Sequence, residues 1–402
     1  MIIQRDLFST IEKYLKSKQA IVITGMRRVG KTTLLNHFFN KISSNNKIFL
    51  DLEDPLNQAI FESENYEKIK TAFNLRGLDL SKKAYIFLDE IQFVTKIPSL
   101  VKYLYDHYDI KFFLTGSASF YLKNLFSESL VGRKYLFELW PLDFEEFLRF
   151  KGLNFKLPGF NEIIDKQSYE LFSPFIEEYL IWGGMPEVVL LNNPNEKERA
   201  LRDIFSSYFQ KEIQALGDFR KNEIIRNLIL LLARRIGQKL DIQRVSRELG
   251  IARQTLYEYL DFLSGTYLLS FVPALGKIDV AVRKQRKVYF IDSGLFSALE
   301  KPPSGSIFEN AILNNLRRFE NIYYFSKNTQ EIDFVVKLPN SLKVGLEIKE
   351  TATLTDIKRI KQQAVKLGVK EIYLISLDYC ENKEVKYLFQ IPNFKSPGLK
   401  PF

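Results

Sequence analysis

The sequence is poor in the residues that build metal and redox centres. Cys380 is its one cysteine, which excludes an intrachain disulfide and any cysteine-rich zinc site. Its two histidines, His37 and His107, leave a histidine-based metal site almost no ligands to draw on. Long apolar runs are missing as well. The best stretch, Leu228 to Ala233, is flanked by Arg226, Arg234 and Arg235 and falls far short of the ~18 residues that a membrane-spanning helix needs. Arg5 and Asp6 stand where a secretion signal would carry apolar residues, so the expectation is a soluble, cytoplasmic chain with no membrane partner.

What is present is a chain of 402 residues, 46% of them hydrophobic. That is too long for one core and apolar enough for two or three packed domains. The formal net charge is +10, spread as 21 basic against 18 acidic residues over 1–150, 21 against 19 over 151–300 and 16 against 11 over 301–402. Such a balance favours polyanionic partners such as nucleic acid, and a generally basic composition would give the same total.

Short aromatic or β-branched runs at Ala20–Thr24, Lys47–Leu52, Ala84–Leu88 and Lys111–Thr115 alternate with amphipathic helical stretches. This predicts an open, mainly parallel α/β sheet over residues 1–150. Residues 151–300 read as helical, with a winged helix-turn-helix over 240–291. Lys301-Pro302-Pro303-Ser304-Gly305-Ser306 then reads as a linker into a third, α/β domain over 301–402.

The first strand runs into Gly25-Met26-Arg27-Arg28-Val29-Gly30-Lys31-Thr32-Thr33, and a helix follows. This is the context a P-loop requires. Glycines allow a tight turn of inward-pointing amides, and the helix N-terminus adds partial positive charge. Lys31 can reach the β and γ phosphates of ATP, and Thr32 can place a hydroxyl on Mg²⁺. About 60 residues on, the strand Ala84–Leu88 ends in Asp89 and Glu90. In a parallel sheet those strand ends share an edge with the P-loop. Asp89 then supports the metal shell, and Glu90 polarises the attacking water. Ser117 or Thr115, at the end of the fourth strand, is placed to meet that water or the γ-phosphate; a plain polar strand end reads almost as well.

These residues resemble a known family. The Arg27-Arg28 pair inside the P-loop, Leu88-Asp89-Glu90-Ile91-Gln92, Thr115-Gly116-Ser117, Ser129-Leu130-Val131-Gly132-Arg133, Pro141–Phe147, Trp182–Glu187 and Tyr289–Leu295 together look like the bacterial and archaeal AAA-type ATPases that carry a C-terminal domain of unknown function. The resemblance implies an AAA-like P-loop fold and Mg²⁺-dependent ATP use. It also makes Arg133 an arginine-finger or sensor candidate, and a finger supplied in trans implies self-association. A salt-bridged surface arginine fits Arg133 equally well.

Leu240–Gly250 and Ile251–Leu260 read as two helices around a glycine stop. Val245, Leu249, Leu256, Leu260 and Leu263 face inward, while Arg253, Gln254 and Tyr257 face out where a recognition helix meets DNA. Between Arg220 and Arg253 there are nine basic and three acidic residues, and Arg283-Lys284-Gln285-Arg286-Lys287 forms the expected wing. A protein-interaction surface is the competing reading.

In the last domain, strands Glu331–Leu338 and Leu342–Lys349 flank Pro339-Asn340-Ser341. As a hairpin they place Leu338 opposite Leu342 and Asp333 opposite Glu347, with Lys349 on the same face. Asp333…Glu347-Ile348-Lys349 resembles the restriction-endonuclease-like motif, with Glu309 at its additional acidic position. That resemblance implies Mg²⁺ on Asp333 and Glu347, a water oriented by Lys349, and phosphodiester cleavage. A retained fold with a lost site is the alternative. Two functions are therefore open: an ATPase coupled to nucleic-acid binding or processing, and an ATP-dependent regulatory switch that contacts only protein.

Overall fold

Ala20–Thr24 carries only apolar or β-branched side chains and forms β1, buried along its whole length. In the computed structural model, the described residues are 2–62, 65–117, 132–213, 219–276, 285–327, 330–338, 342–367, 369 and 371–394. They divide into two units, Met1–Trp140 with Gly265–Tyr267, and Pro141–Ser264 with Leu268–Phe402.

The first unit is built on a five-stranded sheet. Its strands are β1, β2 (Lys47–Asp51), β3 (Ala84–Asp89), β4 (Ile110–Gly116) and β5 (Lys134–Glu138), in the order β2-β3-β4-β1-β5. Every pairing is parallel, so Thr24, Asp51, Asp89 and Gly116 end at one edge. β1 and β4 lie inside the sheet and are wholly buried, which is why both read as continuous apolar runs. Phe87 and Phe113 stack across neighbouring strands with ring centroids 4.4 Å apart. β5 is absent from the sequence reading. It is an edge strand of half-exposed residues, with Lys134 and Glu138 at the ends of Tyr135-Leu136-Phe137.

The second unit holds the helical segment and a second five-stranded sheet. β8 (Ile322–Lys327), β9 (Gln330–Lys337) and β10 (Lys343–Lys349) are antiparallel, whereas β11 (Glu371–Ser376) and β12 (Val385–Lys386) continue in parallel. A smaller antiparallel pair, β6 (Leu269–Val272) and β7 (Lys287–Phe290), follows the helices Ile242–Leu249 and Arg253–Gly265.

The second compact unit spans the expected boundary between 151–300 and 301–402. The helix Ser304–Leu316 starts within the expected linker. Its buried Asn310 accepts from the Phe290 amide at 2.8 Å and donates to the Phe290 carbonyl at 3.1 Å, so it pairs with β7 as a strand would. Just beyond β6, the Leu275 amide donates to the Tyr324 carbonyl at 2.6 Å, and the Tyr324 amide donates to the Pro273 carbonyl at 3.0 Å. The first compact unit runs to Trp140.

Candidate functional site

The loop after β1 turns on two glycines with positive φ, Gly25 (154°) and Gly30 (101°). A Cβ on Gly25 would collide with the Leu139 carbonyl oxygen, so no other residue fits there. Gly30 opens the helix Lys31–Lys41, whose Leu34, Leu35 and Phe38 are buried. The anchored face aims Lys31 and Thr32 back at the strand edge. Lys31 is only 4% exposed, and its Nζ donates to the carbonyls of Gly25 and Met26 at 3.1 Å each. It also stands 3.9 Å from Glu90 Oε1.

Asp89, at the end of β3, is the hub. Thr32 donates to its Oδ2 at 2.6 Å, and the Thr115 hydroxyl donates to its Oδ1. Burial pushes its pKa up, against the pull of the two threonine bonds. A carboxylate placed in such surroundings calls for a cation, and a hard metal with oxygen ligands is the matching one. The chain therefore fits Mg²⁺-nucleotide on its own geometry: a glycine-walled loop of amides, a buried ammonium, and a threonine hydroxyl joined to a buried acid.

Glu90 has left-handed backbone geometry (φ 52°), which costs roughly 1–2 kcal/mol in a non-glycine residue. Its amide donates to Thr115 Oγ1 at 3.1 Å, which holds the strained turn. Gln92 Nε2 donates both to Glu90 Oε2 and, at 2.9 Å, to Ser117 Oγ. The structure thus brings Lys31, Thr32, Asp89, Glu90, Thr115 and Ser117 together. It adds Gln92, two residues past the acidic pair, and Tyr267. The Tyr267 hydroxyl lies 2.5 Å from Thr24 Oγ1 and donates to Glu138 Oε1 at 3.0 Å. Nothing in the sequence marks Tyr267, which is far along the chain from the loop it supports.

Arg133 is not brought to this site. It directly precedes β5, and its carbonyl accepts from the Ala20 amide at 2.8 Å, at the start of β1. The P-loop leaves the opposite end of the same strand. Its guanidinium pairs with Asp106 at 2.9 and 3.2 Å. Ser129–Val131 of the same motif lie outside the described residues.

In the second unit, Arg253, Gln254 and Tyr257 are exposed on one face at the start of the helix Arg253–Gly265, while Leu256, Leu260 and Leu263 are buried. Arg283 and Lys284 of the expected wing lie outside the described residues. Lys287 is a correction: it is not a wing cation but is 3% exposed and ion-paired with Glu309, Glu331 and Asp333.

The C-terminal hairpin has the expected register from Lys337↔Lys343 to Phe334↔Leu346, although its loop, 339–341, is outside the described residues. One step further on, Asp333 Oδ2 accepts from the Ile348 amide at 2.9 Å. Glu347 Oε1 pairs instead with Lys349 at 3.2 Å and Arg359 at 3.0 Å. Asp333 and Glu347 are therefore engaged by different cations. Burial, with the charge of Asp333, raises both Glu309 and Glu347 to about 7, against the nearby basic groups. Burial likewise raises Asp292 to about 6. The charges of Glu309, Asp333 and Glu331 overcome burial and raise Lys287.

A carboxyl whose pKa is raised in the native state holds its proton more tightly there than in the unfolded chain. The stability it contributes is full below about 4 and is lost as pH climbs through about 6 to 7. The thermal midpoint of the second unit is therefore expected to fall by several degrees between pH 5 and pH 7.5. Melting curves of Glu347→Gln should show a visibly flatter slope over that window. A slope unchanged in the variant would remove Glu347 as a contributor.

Comparison with known proteins agrees with this geometry. Residues 17–148 match the family model described as an AAA domain. Residues 174–305 and 304–392 match two domains of unknown function, DUF8612 and DUF4143. A protein of Methanocaldococcus jannaschii is 29% identical over 392 residues, covering 94% of this chain and 85% of its own. One from Haemophilus influenzae is 29% identical over 391 residues, covering 90% of each. A Mycobacterium tuberculosis protein is 25% identical over 393 residues, covering 93% and 80%. The names of these relatives state no activity. The matches support an AAA-type, nucleotide-binding ATPase of prokaryotic type. Among the described residues, no helix is long and apolar enough to cross a membrane.

Proposed function

We propose that this protein hydrolyses ATP with Mg²⁺ and couples that cycle to nucleic-acid binding. The observation that carries the first half is Asp89, a buried acid bonded to the P-loop hydroxyl of Thr32, with Lys31 and Glu90 beside it. Mg²⁺, when bound, neutralises the phosphate oxygens. The remaining work belongs to the chain. The amides from Gly25 to Thr33 cradle the phosphates. The Lys31 ammonium exchanges its carbonyl partners for phosphate oxygens. Glu90 takes the proton of the attacking water, held in position by the bond from Gln92. Ser117, on the other arm of Gln92, lines the γ-phosphate side. Arg133 acts only if a second copy of the chain delivers it.

The second half rests on the exposed Arg253, Gln254 and Tyr257 at the N-terminal end of a helix that follows a tight turn. A winged helix-turn-helix offers these positions to a groove. Arg253 forms no ion pair among the described residues, so its charge is available to phosphate. One observation favours the competing reading, a protein-contacting switch. Glu248 binds both Arg235 and Arg244, which neutralises two of the basic residues between Arg220 and Arg253.

Salt separates the readings. Duplex DNA binding, measured by fluorescence anisotropy across a salt series, is expected to weaken steeply, with each phosphate contact adding about −0.9 to the log–log slope. Arg253→Ala should reduce that slope by about 1. ATP turnover measured with and without DNA should rise with it. No DNA binding even at low salt would sink the nucleic-acid half and leave the switch.

A further inference from the structure

Three acids converge on one lysine at the start of β7. Lys287 Nζ lies 3.2 Å from Glu309 Oε1, 3.1 Å from Asp333 Oδ1 and 3.0 Å from Glu331 Oε1. Lys239 holds the other oxygen of Glu331 at 2.6 Å. Glu347 pairs with Lys349 and with Arg359, which also reaches Asp356 at 3.3 Å. Glu309, Glu331 and Asp333 thus converge on the single ammonium of Lys287, with Lys239 sharing Glu331.

The shell is built to ammonium dimensions. Its three contacts to Lys287 span 3.0–3.2 Å, whereas Mg²⁺ and Ca²⁺ draw oxygens in to about 2.0–2.6 Å. Most of the other carboxylate oxygens around Lys287 are engaged or hemmed in, whereas Oε2 of Glu347 is buried without a partner among the described residues. Tyr289, two residues along β7 and so on the same face, donates to Glu309 Oε1 at 2.6 Å. The backbone of Gly237 packs on the other oxygen of Glu309, so closely that a Cβ there would sit 2.9 Å from it. The Ile348 amide occupies the second oxygen of Asp333. Among the described residues, no group of three or more histidine, cysteine or acidic side chains is arranged to hold a metal ion. The residues present do not fit the metal that the nuclease resemblance implies.

We propose that the Lys287 ammonium is the resident cation of this cluster. The cluster is then an ion-pair joint that fastens β7 to β9 and to the helix Ser304–Leu316, not a divalent-metal centre. The lysine is delivered from the strand pair that follows the helix Arg253–Gly265, so the cation comes from one segment of the chain and the acids from another. Removing it leaves the carboxylates with a net negative charge and a cavity the size of an ammonium group, which are the conditions a divalent ion needs.

Mn²⁺ uptake by the full-length chain without nucleotide, followed by electron paramagnetic resonance of free Mn²⁺, tests this. Wild type and Asp333→Asn are expected to bind the same amount. Lys287→Ala should gain one site, absent from the Lys287→Ala/Asp333→Asn double variant, and Mn²⁺ should raise the melting temperature of Lys287→Ala but not of wild type. Lys287→Arg, which keeps the charge, should gain no site. A site in wild type that Asp333→Asn removes would overturn the proposal, and so would a folded Lys287→Ala that gains none. The comparison of wild type with Asp333→Asn decides the matter even if Lys287→Ala does not fold.

Discussion

Lys31→Ala is expected to lose ATP hydrolysis almost completely, with kcat down by about 1,000-fold or more, and to bind ATP more weakly. The ammonium is 4% exposed and bonded to two carbonyls of its own loop. Alanine removes the buried charge of the cradle and leaves the Gly25 and Met26 carbonyls pointing into the phosphate position. Glu90→Gln is expected to behave differently. Glutamine has the same shape and can keep the Gln92 contact, so ATP binding by calorimetry should stay within about threefold. Turnover should still fall by about 100- to 1,000-fold, because an amide cannot take a proton from water. The split between the two variants is the useful readout. Turnover of Lys31→Ala at the wild-type rate would place hydrolysis somewhere other than this loop. A Glu90→Gln chain that loses binding and turnover together would make Glu90 a prop for Lys31, 3.9 Å away, and would move the base elsewhere.

The nucleotide site was the legible part of the chain because its chemistry is local. Gly25, Gly30, Lys31 and Thr32 announce a turn and a helix start, and Asp89-Glu90 closes a strand whose apolar run is buried on both faces. Parallel pairing then puts the two motifs on one edge without further information. What the sequence concealed depends on partners far along the chain. Lys287 sits in a basic run and reads as a solvated wing, yet its burial is decided by Glu309, Glu331 and Asp333, which lie on other elements. The hairpin register toward Asp333 and Glu347 could be derived by counting from the loop. Counting could not show that Arg359 and Lys349 would claim Glu347 while Lys287 claimed Asp333. Arg133 illustrates the same limit. Its place at the start of β5 depends on an edge strand, Lys134–Glu138, that the sequence reading does not assign.

The glycines of Trp182–Glu187 and Tyr289–Leu295 carry the largest expected cost in stability, for a reason that pattern alone did not supply. Gly183 has φ +74°, and a Cβ there would fall well under 3.0 Å from the Asp292 carboxylate. A Cβ on Gly184 would strike the Leu142 carbonyl, and one on Gly294 the Trp182 carbonyl. Asp292 is buried and accepts from the Gly184 amide at 2.6 Å and the Leu295 amide at 3.1 Å, while Ser293 donates to the Tyr179 carbonyl at 3.1 Å. The two motifs are therefore halves of one close packing: alanine at Gly294 must push main chain apart, and alanine at Gly183 must displace the buried Asp292 carboxylate. A loss of about 3–5 kcal/mol is expected, at the upper end of what single substitutions do. The chain should then melt more than about 10 °C lower or fail to express in soluble form. Gly250 supplies the control. It too has positive φ (+66°), yet nothing among the described residues lies within 4 Å of the point a Cβ would occupy, so Gly250→Ala should cost only about 1 kcal/mol for the backbone conformation. Equal losses in denaturant unfolding of Gly183→Ala and Gly250→Ala would mean that positive φ alone sets the cost, and the packing account of the two motifs would fall.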